Sequence, residues 1–343
     1  MDSIKRIRQI GFAIFGILML LNSYSYSHAK DLTSMYEKSI LADWNKRYAS
    51  NADWNFQKVI LPALKPNERE SIKDVRLEYP LFAKYGDPFE ISITTSPQGI
   101  IIPTSTIKFL DDLAIAYAWL SENKYSLTTV TEYMAMLKYK DAKEFPGGRY
   151  PTPQQALFIP KNALDAQRVD DISQKLLKSY IVYLIAREVG AIHLRWPITR
   201  PVITTARENK QFILAADTFG LEILRRIGVV PVSLGPYITA QMHWVPNRSD
   251  FADGEAYGHF LASGGGSLVF FPERLSNIAS RIVLGSKDYF RGEPNQTAAA
   301  SLIDLVAEQI SQLASILESE YEQENIKRQA KKSSINDLRP RGR

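Results

Sequence analysis

A chain of 343 residues with 45% hydrophobic and 11% aromatic content carries enough apolar material for a globular core. It has no cysteine, which excludes disulfides, thiolate metal sites, iron–sulfur clusters, cysteine nucleophiles and N-terminal lipoprotein acylation. The formal charge of +5 is unevenly placed, because residues 327–343 hold seven basic side chains against the single acid Asp337.

At the N-terminus, Lys5, Arg6 and Arg8 precede an apolar run from Ile10 to Leu21 and a polar stretch ending Ser27-His28-Ala29. This is the pattern of a secretory signal peptide over residues 1–29, with cleavage expected near Ala29 and a periplasmic or secreted mature chain. The run falls short of the roughly 20 apolar residues a membrane span needs, which favours cleavage over a retained anchor. Cleavage would remove Lys5, Arg6, Arg8 and Asp2, leaving an acidic body and a basic tail. That tail, 327–343, reads as disordered, with contact to an anionic membrane surface as its functional alternative. Basic residues elsewhere are not interleaved with aromatics, so no nucleic-acid surface is expected.

Residues 31–75 mix aromatic and polar side chains without a clear long period and suggest short helices. Phe89–Pro103 then holds two β-rich runs around Thr95-Ser96-Pro97-Gln98-Gly99, a hairpin. A helix capped near Ser105 or Thr106 follows to Leu120, and another amphipathic segment runs from Thr128 to Leu137. Pro146-Gly147-Gly148, Pro151 and Pro153 mark a loop.

From Asp170 the pattern is helical and leads into Ser179–Arg195, which is apolar on every face and so belongs inside the domain. Two charges, Arg187 and Glu188, sit in its middle, and burying them costs several kcal/mol per ion unless partners arrive from elsewhere. The helix should stop at Trp196-Pro197. A second apolar helix, Gln211 to Ile227, has Asp217 embedded in it and is closed by Gly228 with Pro231 behind. Residues 236–262 read as loop-like and contain His243, Glu255 and His259, whose spacing would matter for a metal only on a helix. Gly264–Gly266 lacks the surroundings of a phosphate loop. Pro272-Glu273-Arg274-Leu275 begins another helix, and a long amphipathic one is expected from Ala298 to Gln329.

The order hairpin, helix, buried charged helix, second helix with an Asp, then Pro-Glu-Arg-Leu resembles the zinc metallopeptidases of the HtpX and CAAX-prenyl-protease type. In that family the central helix carries H-E-x-x-H; Arg187-Glu188-Val189-Gly190-Ala191-Ile192 is similar to it with both histidines replaced. The family's third ligand is a Glu four residues before an Asp, and here Ile213 precedes Asp217 at that distance. Ala216-Asp217-Thr218-Phe219-Gly220-Leu221 resembles the family's A-D-x-x-G-x, and Phe270-Phe271-Pro272-Glu273-Arg274-Leu275 its T-H-P segment and following Arg, without the His.

The resemblance covers about 89–290 and implies an α+β, predominantly helical fold, a zincin-like core with a small hairpin or sheet edge beside the central helix. The implied organisation is signal peptide 1–29, an N-terminal helical cover 30–88, a degenerate metallopeptidase-like domain 89–326 and the basic tail 327–343.

Zinc in such a site needs two imidazoles one turn apart plus a carboxylate, with a Glu to deprotonate the bound water. Arg187, Ala191 and Ile213 supply no lone pair, so no cofactor is expected. Glu188 remains as a remnant base. Two readings of it stand: a functional carboxylate or one half of a structural ion pair. Arg187 is expected to pair with Asp217, with Glu188 as a second partner, near the replaced metal position; a separation beyond about 6 Å would exclude direct pairing. His193 lies about 140° round the helix from Glu188 and shares no face with it.

The function implied is an exported non-catalytic pseudopeptidase that binds or regulates envelope proteins or peptides through the hairpin 89–103. The alternative is a hydrolase with a non-standard site, for instance a metal at His243 and His259.

Overall fold

The computed structural model describes residues 30–95, 97–194, 206–262, 270–289 and 296–341. The expected signal peptide, the Trp196-Pro197 stop and the Gly264–Gly266 run lie outside these residues.

Apolar side chains at Leu41, Tyr48, Ala52, Phe56 and Ile60 recur at helical spacing, and they line one long rod. It consists of helix α1 (Lys38–Asn55), a π-helical turn Phe56–Ile60 and a last turn Leu61–Ala63. Residues 38–63 of the region expected to hold short helices are therefore continuous, with short helices at Thr33–Met35 and Pro66–Ser71 on either side. An exposed Trp54 beside this stripe blurs its period in the sequence.

The hairpin comprises β2 (Ser92–Thr95) and β3 (Gln98–Ile101), antiparallel, with Ser92 opposite Ile101 and Thr95 opposite Gln98. On its other side β3 pairs in parallel with β1 (Arg76–Glu78), so the order is β1-β3-β2. The boundary expected between 88 and 89 thus separates strands of one sheet. Leu32 and Leu338, near opposite ends of the described chain, belong to the same core. Residues 30–88 are part of that core rather than a cover over it.

Helix α2 (Thr104–Glu122) follows Pro103, and no side chain caps it. Its first amides find carbonyls instead: Thr104 N donates to Pro80 O at 2.7 Å and Ser105 N to Leu81 O at 3.0 Å. The Ser105 hydroxyl expected as a cap accepts from Ala83 N. Next come α3 (Thr128–Tyr139), the central helix α4 (Gln167–His193) and α5 (Ala206–Ile227). Gly228 closes α5 at φ +69°, with Val229 N reaching back to Leu224 O at 2.9 Å.

Residues 236–262, expected to be loop-like, are mostly helical, forming α6 (Leu234–Trp244) and α7 (Gly254–Ala262), with irregular chain and one 3-10 turn only over 245–253. Helix α8 (Pro272–Leu284) then precedes α9 (Gln296–Glu318) and α10 (Glu320–Lys332). The single helix expected over 298–329 is broken at Ser319, whose hydroxyl accepts from Glu322 N as the cap of α10.

The basic C-terminal segment is ordered through Arg341, against the expectation of a disordered tail. Ala330 and Leu338 are buried, Lys140 Nζ donates to Lys331 O at 3.0 Å, and Ser126 N donates to Arg341 O at 3.2 Å. Its charges ride on an apolar stripe that turns inward, which a net-charge reading passes over. The architecture is predominantly helical with one small sheet. Helix α4 runs through its middle, packed mainly on α5 and α2, with β2 alongside.

Candidate functional site

Every side chain from Ser179 to Ile192 is buried, so the charges on this stretch meet protein rather than water. Close approach of α4 and α5 determines what they meet. A Cβ at Gly190 would lie 2.7 Å from the Phe219 ring, and one at Gly220 would lie 3.3 Å from Arg187 Cα and Cβ. With glycine on each helix the backbones can come together, and Asp217 comes within reach of α4.

Asp217 is fully buried and accepts from three residues. Arg187 Nε donates to its Oδ1 at 2.8 Å, and the Tyr183 hydroxyl donates to the same oxygen at 3.0 Å. Arg274, from the first turn of α8, donates through Nε to Oδ2 at 2.6 Å and through Nη2 to Oδ1 at 2.9 Å. This is a fork-on-carboxylate pair. Arg187 Nη1 also donates to Glu188 Oε1.

Two guanidiniums and two carboxylates thus form a buried set whose formal charges cancel. That balance makes its burial tolerable, since any of the four ions alone would carry a desolvation penalty of several kcal/mol. The Arg274 guanidinium also lies over the Phe270 ring, 4.5 Å from its centroid.

Protonation follows the donor count. Burial works to raise the Asp217 pKa, but Arg274 and Arg187 outweigh it and hold the carboxyl below its ordinary value. Glu188 is pushed up by burial, with Arg187 opposing. Burial lowers the pKa of Arg187, but Glu188 and Asp217 raise it beyond its usual value, so it stays a cation. Asp217 is therefore the secure anion of the set and Glu188 the more readily protonated acid.

Behind the set, the Tyr180 ring stacks on Tyr237 at 4.2 Å between centroids, and its hydroxyl donates to Gln241 Oε1 at 3.0 Å. Tyr180, Tyr183 and Arg187 occupy positions three and four apart, one face of α4 directed at α5 and α6. Two members of this arrangement escaped sequence reading. Tyr183 was hidden among apolar neighbours. Arg274 had a signal in the Phe-Phe-Pro-Glu-Arg-Leu phrase, but nothing local said that the Arg turns inward.

The remaining candidates do not join the set. His193 Nδ1 lies 2.8 Å from the Ser71 hydroxyl. That hydroxyl also donates to Glu68 O at 2.7 Å, so the imidazole acts as donor to the serine and the pair is not a nucleophile with its base. His243 Nδ1 bonds the Thr239 carbonyl at 2.8 Å. Glu255 and His259 lie on α7, so their spacing does bring them together, 3.6 Å apart, but on an open surface. Among the described residues no three His, Asp or Glu side chains cluster as metal ligands.

No family model matches the chain, and no curated protein or solved structure is significantly similar to it.

Proposed function

We propose that the protein is an exported, non-catalytic metallopeptidase-like protein that binds extended peptides or unfolded segments in the cell envelope. The observation carrying this reading is the Arg187 guanidinium. It stands on the central helix where the resembling family places its first histidine, and it is bonded to Glu188 on one side and Asp217 on the other.

A permanent cation at that position repels a divalent ion, and Ala191 and Ile213 offer it no lone pair. Glu188, buried and bonded to a guanidinium, has no free route to a substrate water as a base. Binding needs none of this chemistry. Strand β2 pairs only with β3 among the described strands, and its other edge is the place for an added peptide strand. Lys332, Arg339 and Arg341 supply a second, weaker contact to anionic lipid.

Two measurements on the mature protein test this reading. A labelled Val/Thr-rich peptide should give a saturable rise in fluorescence anisotropy that a chelator leaves unchanged, whereas the same peptide with N-methylated backbone amides should not bind. Stoichiometric zinc in the purified protein, together with proteolysis that falls on Glu188→Gln, would overturn the proposal and favour the hydrolase alternative.

A further inference from the structure

A cleft of about 830 Å³ lies away from the Arg187 set, within the size range of small-molecule sites. Its walls come from the chain around Tyr36, from α2, from the turn at 146–161 and from the C-terminal turn at Ile335 and Asn336.

The floor is built. Asp112, 2% exposed, accepts from the Tyr36 hydroxyl at 2.8 Å and from Gln154 Nε2 at 2.9 Å, and it pairs with Lys108. The Lys108 ammonium sits 5.5 Å from the Trp44 ring centroid. These bonds fix the floor's polar groups before any ligand arrives.

Two features point to a ligand. Phe158, on the wall, adopts φ +54°. It occupies the residue after the C-cap of the short helix Pro153–Ala156, where Ile159 N closes back on Gln154 O at 2.9 Å. Glycine is the usual residue there, and a bulky side chain held in left-handed backbone is strained. Such strain persists where the side chain is needed, and this ring lines the cleft with the Arg339 guanidinium 4.9 Å from its centroid.

The second feature is charge. Lys108 is matched by Asp112, but the exposed Arg149 and Lys161 in the lining have no hydrogen bond or ion pair among the described residues, and one exposed carboxylate, Glu37, opposes them.

We infer that this cleft binds a small organic carboxylate with a flat apolar body, its anion on Arg149 and its body against Phe158 and Tyr36. A free acid and the C-terminal residue of a peptide share that chemistry. The inference does not depend on the metallopeptidase-like reading.

The test is calorimetric titration of the mature protein with 3-phenylpropanoate, its amide, and the tetrapeptide Ala-Ala-Ala-Phe with a free C-terminus. Saturable binding of at least one acid, with none of the amide, is expected; the tighter acid identifies the source. Arg149→Glu should weaken binding about tenfold or more, as loss of a charge-assisted pair does, and Glu37→Gln should strengthen it. Phe158→Gly relieves the backbone and removes the wall, so it should melt no lower than the parent and yet lose the ligand. Absence of binding at tens of millimolar, roughly the weakest useful range, would overturn the inference. Equal binding of the amide, or unchanged affinity in Phe158→Gly and Arg149→Glu, would overturn it too.

Discussion

Arg187 Nε donates to Asp217 Oδ1 at 2.8 Å between two side chains that are each at most 1% exposed. One carboxylate therefore serves two cations, because Arg274 forks onto the same group. Asp217→Asn should cost about 3–5 kcal/mol in urea unfolding, since it leaves a surplus buried cation. Arg187→Met should cost less. It leaves Asp217 paired with Arg274, and Glu188, already pushed toward its neutral form by burial, can take up a proton. A larger loss in Arg187→Met than in Asp217→Asn would contradict this assignment of charges.

The helix contact that permits this bond predicts a second outcome. Gly190→Ala drives a methyl into the Phe219 ring and should cost roughly 1–3 kcal/mol by overpacking. In the background of Phe219→Gly the same change should cost much less, because the Phe219 Cβ itself lies 2.7 Å from the added methyl and must go as well as the ring. The double-mutant cycle reads the coupling directly, and additive effects would show that the two positions do not meet.

His243 gives the pH dependence a sign. Burial depresses its pKa to about 4 from an ordinary value near 6.5. Below 6.5 the unfolded chain binds a proton that the folded chain refuses, so this histidine's contribution is lost as pH falls from 6.5 toward 4, by at most ~3 kcal/mol. Asp87, raised to about 6 by burial, works in the opposite direction over an overlapping range, because its folded form holds a proton more tightly. The histidine is isolated by comparison. His243→Phe should lose less stability than the parent between pH 6.5 and 4, and parallel curves would refute the assignment.

Leu338, fully buried beyond the last helix, anchors the basic segment. Leu338→Ala should lower stability by about 2–5 kcal/mol, the range for a truncated core leucine. A disordered tail would show no change in the melting temperature.

Much of the candidate site was legible in a one-dimensional pattern. A stretch apolar all round must be buried, and its embedded charges must then find partners, so Ser179–Arg195 and Asp217 announce a site from composition and spacing alone. The hairpin and the closure of α5 at Gly228 were legible for the same reason, since turn glycines and alternating β-formers act over a few residues. Helices α6 and α7 were not, because glycine, proline and aromatic residues dilute their period and neighbouring elements stabilise them.

The residue pattern alone requires that α4 carry buried charge and find an acid from a second helix. Tertiary structure decided the rest. Arg274 completes the set because α8 packs against α5, the basic segment is ordered because Leu338 finds a socket, and Phe158 meets Lys108 and Asp112 in one cleft. Burial is a local demand that a sequence states openly, whereas the identity of a partner depends on which surfaces come within about 3 Å, a property of the assembled chain.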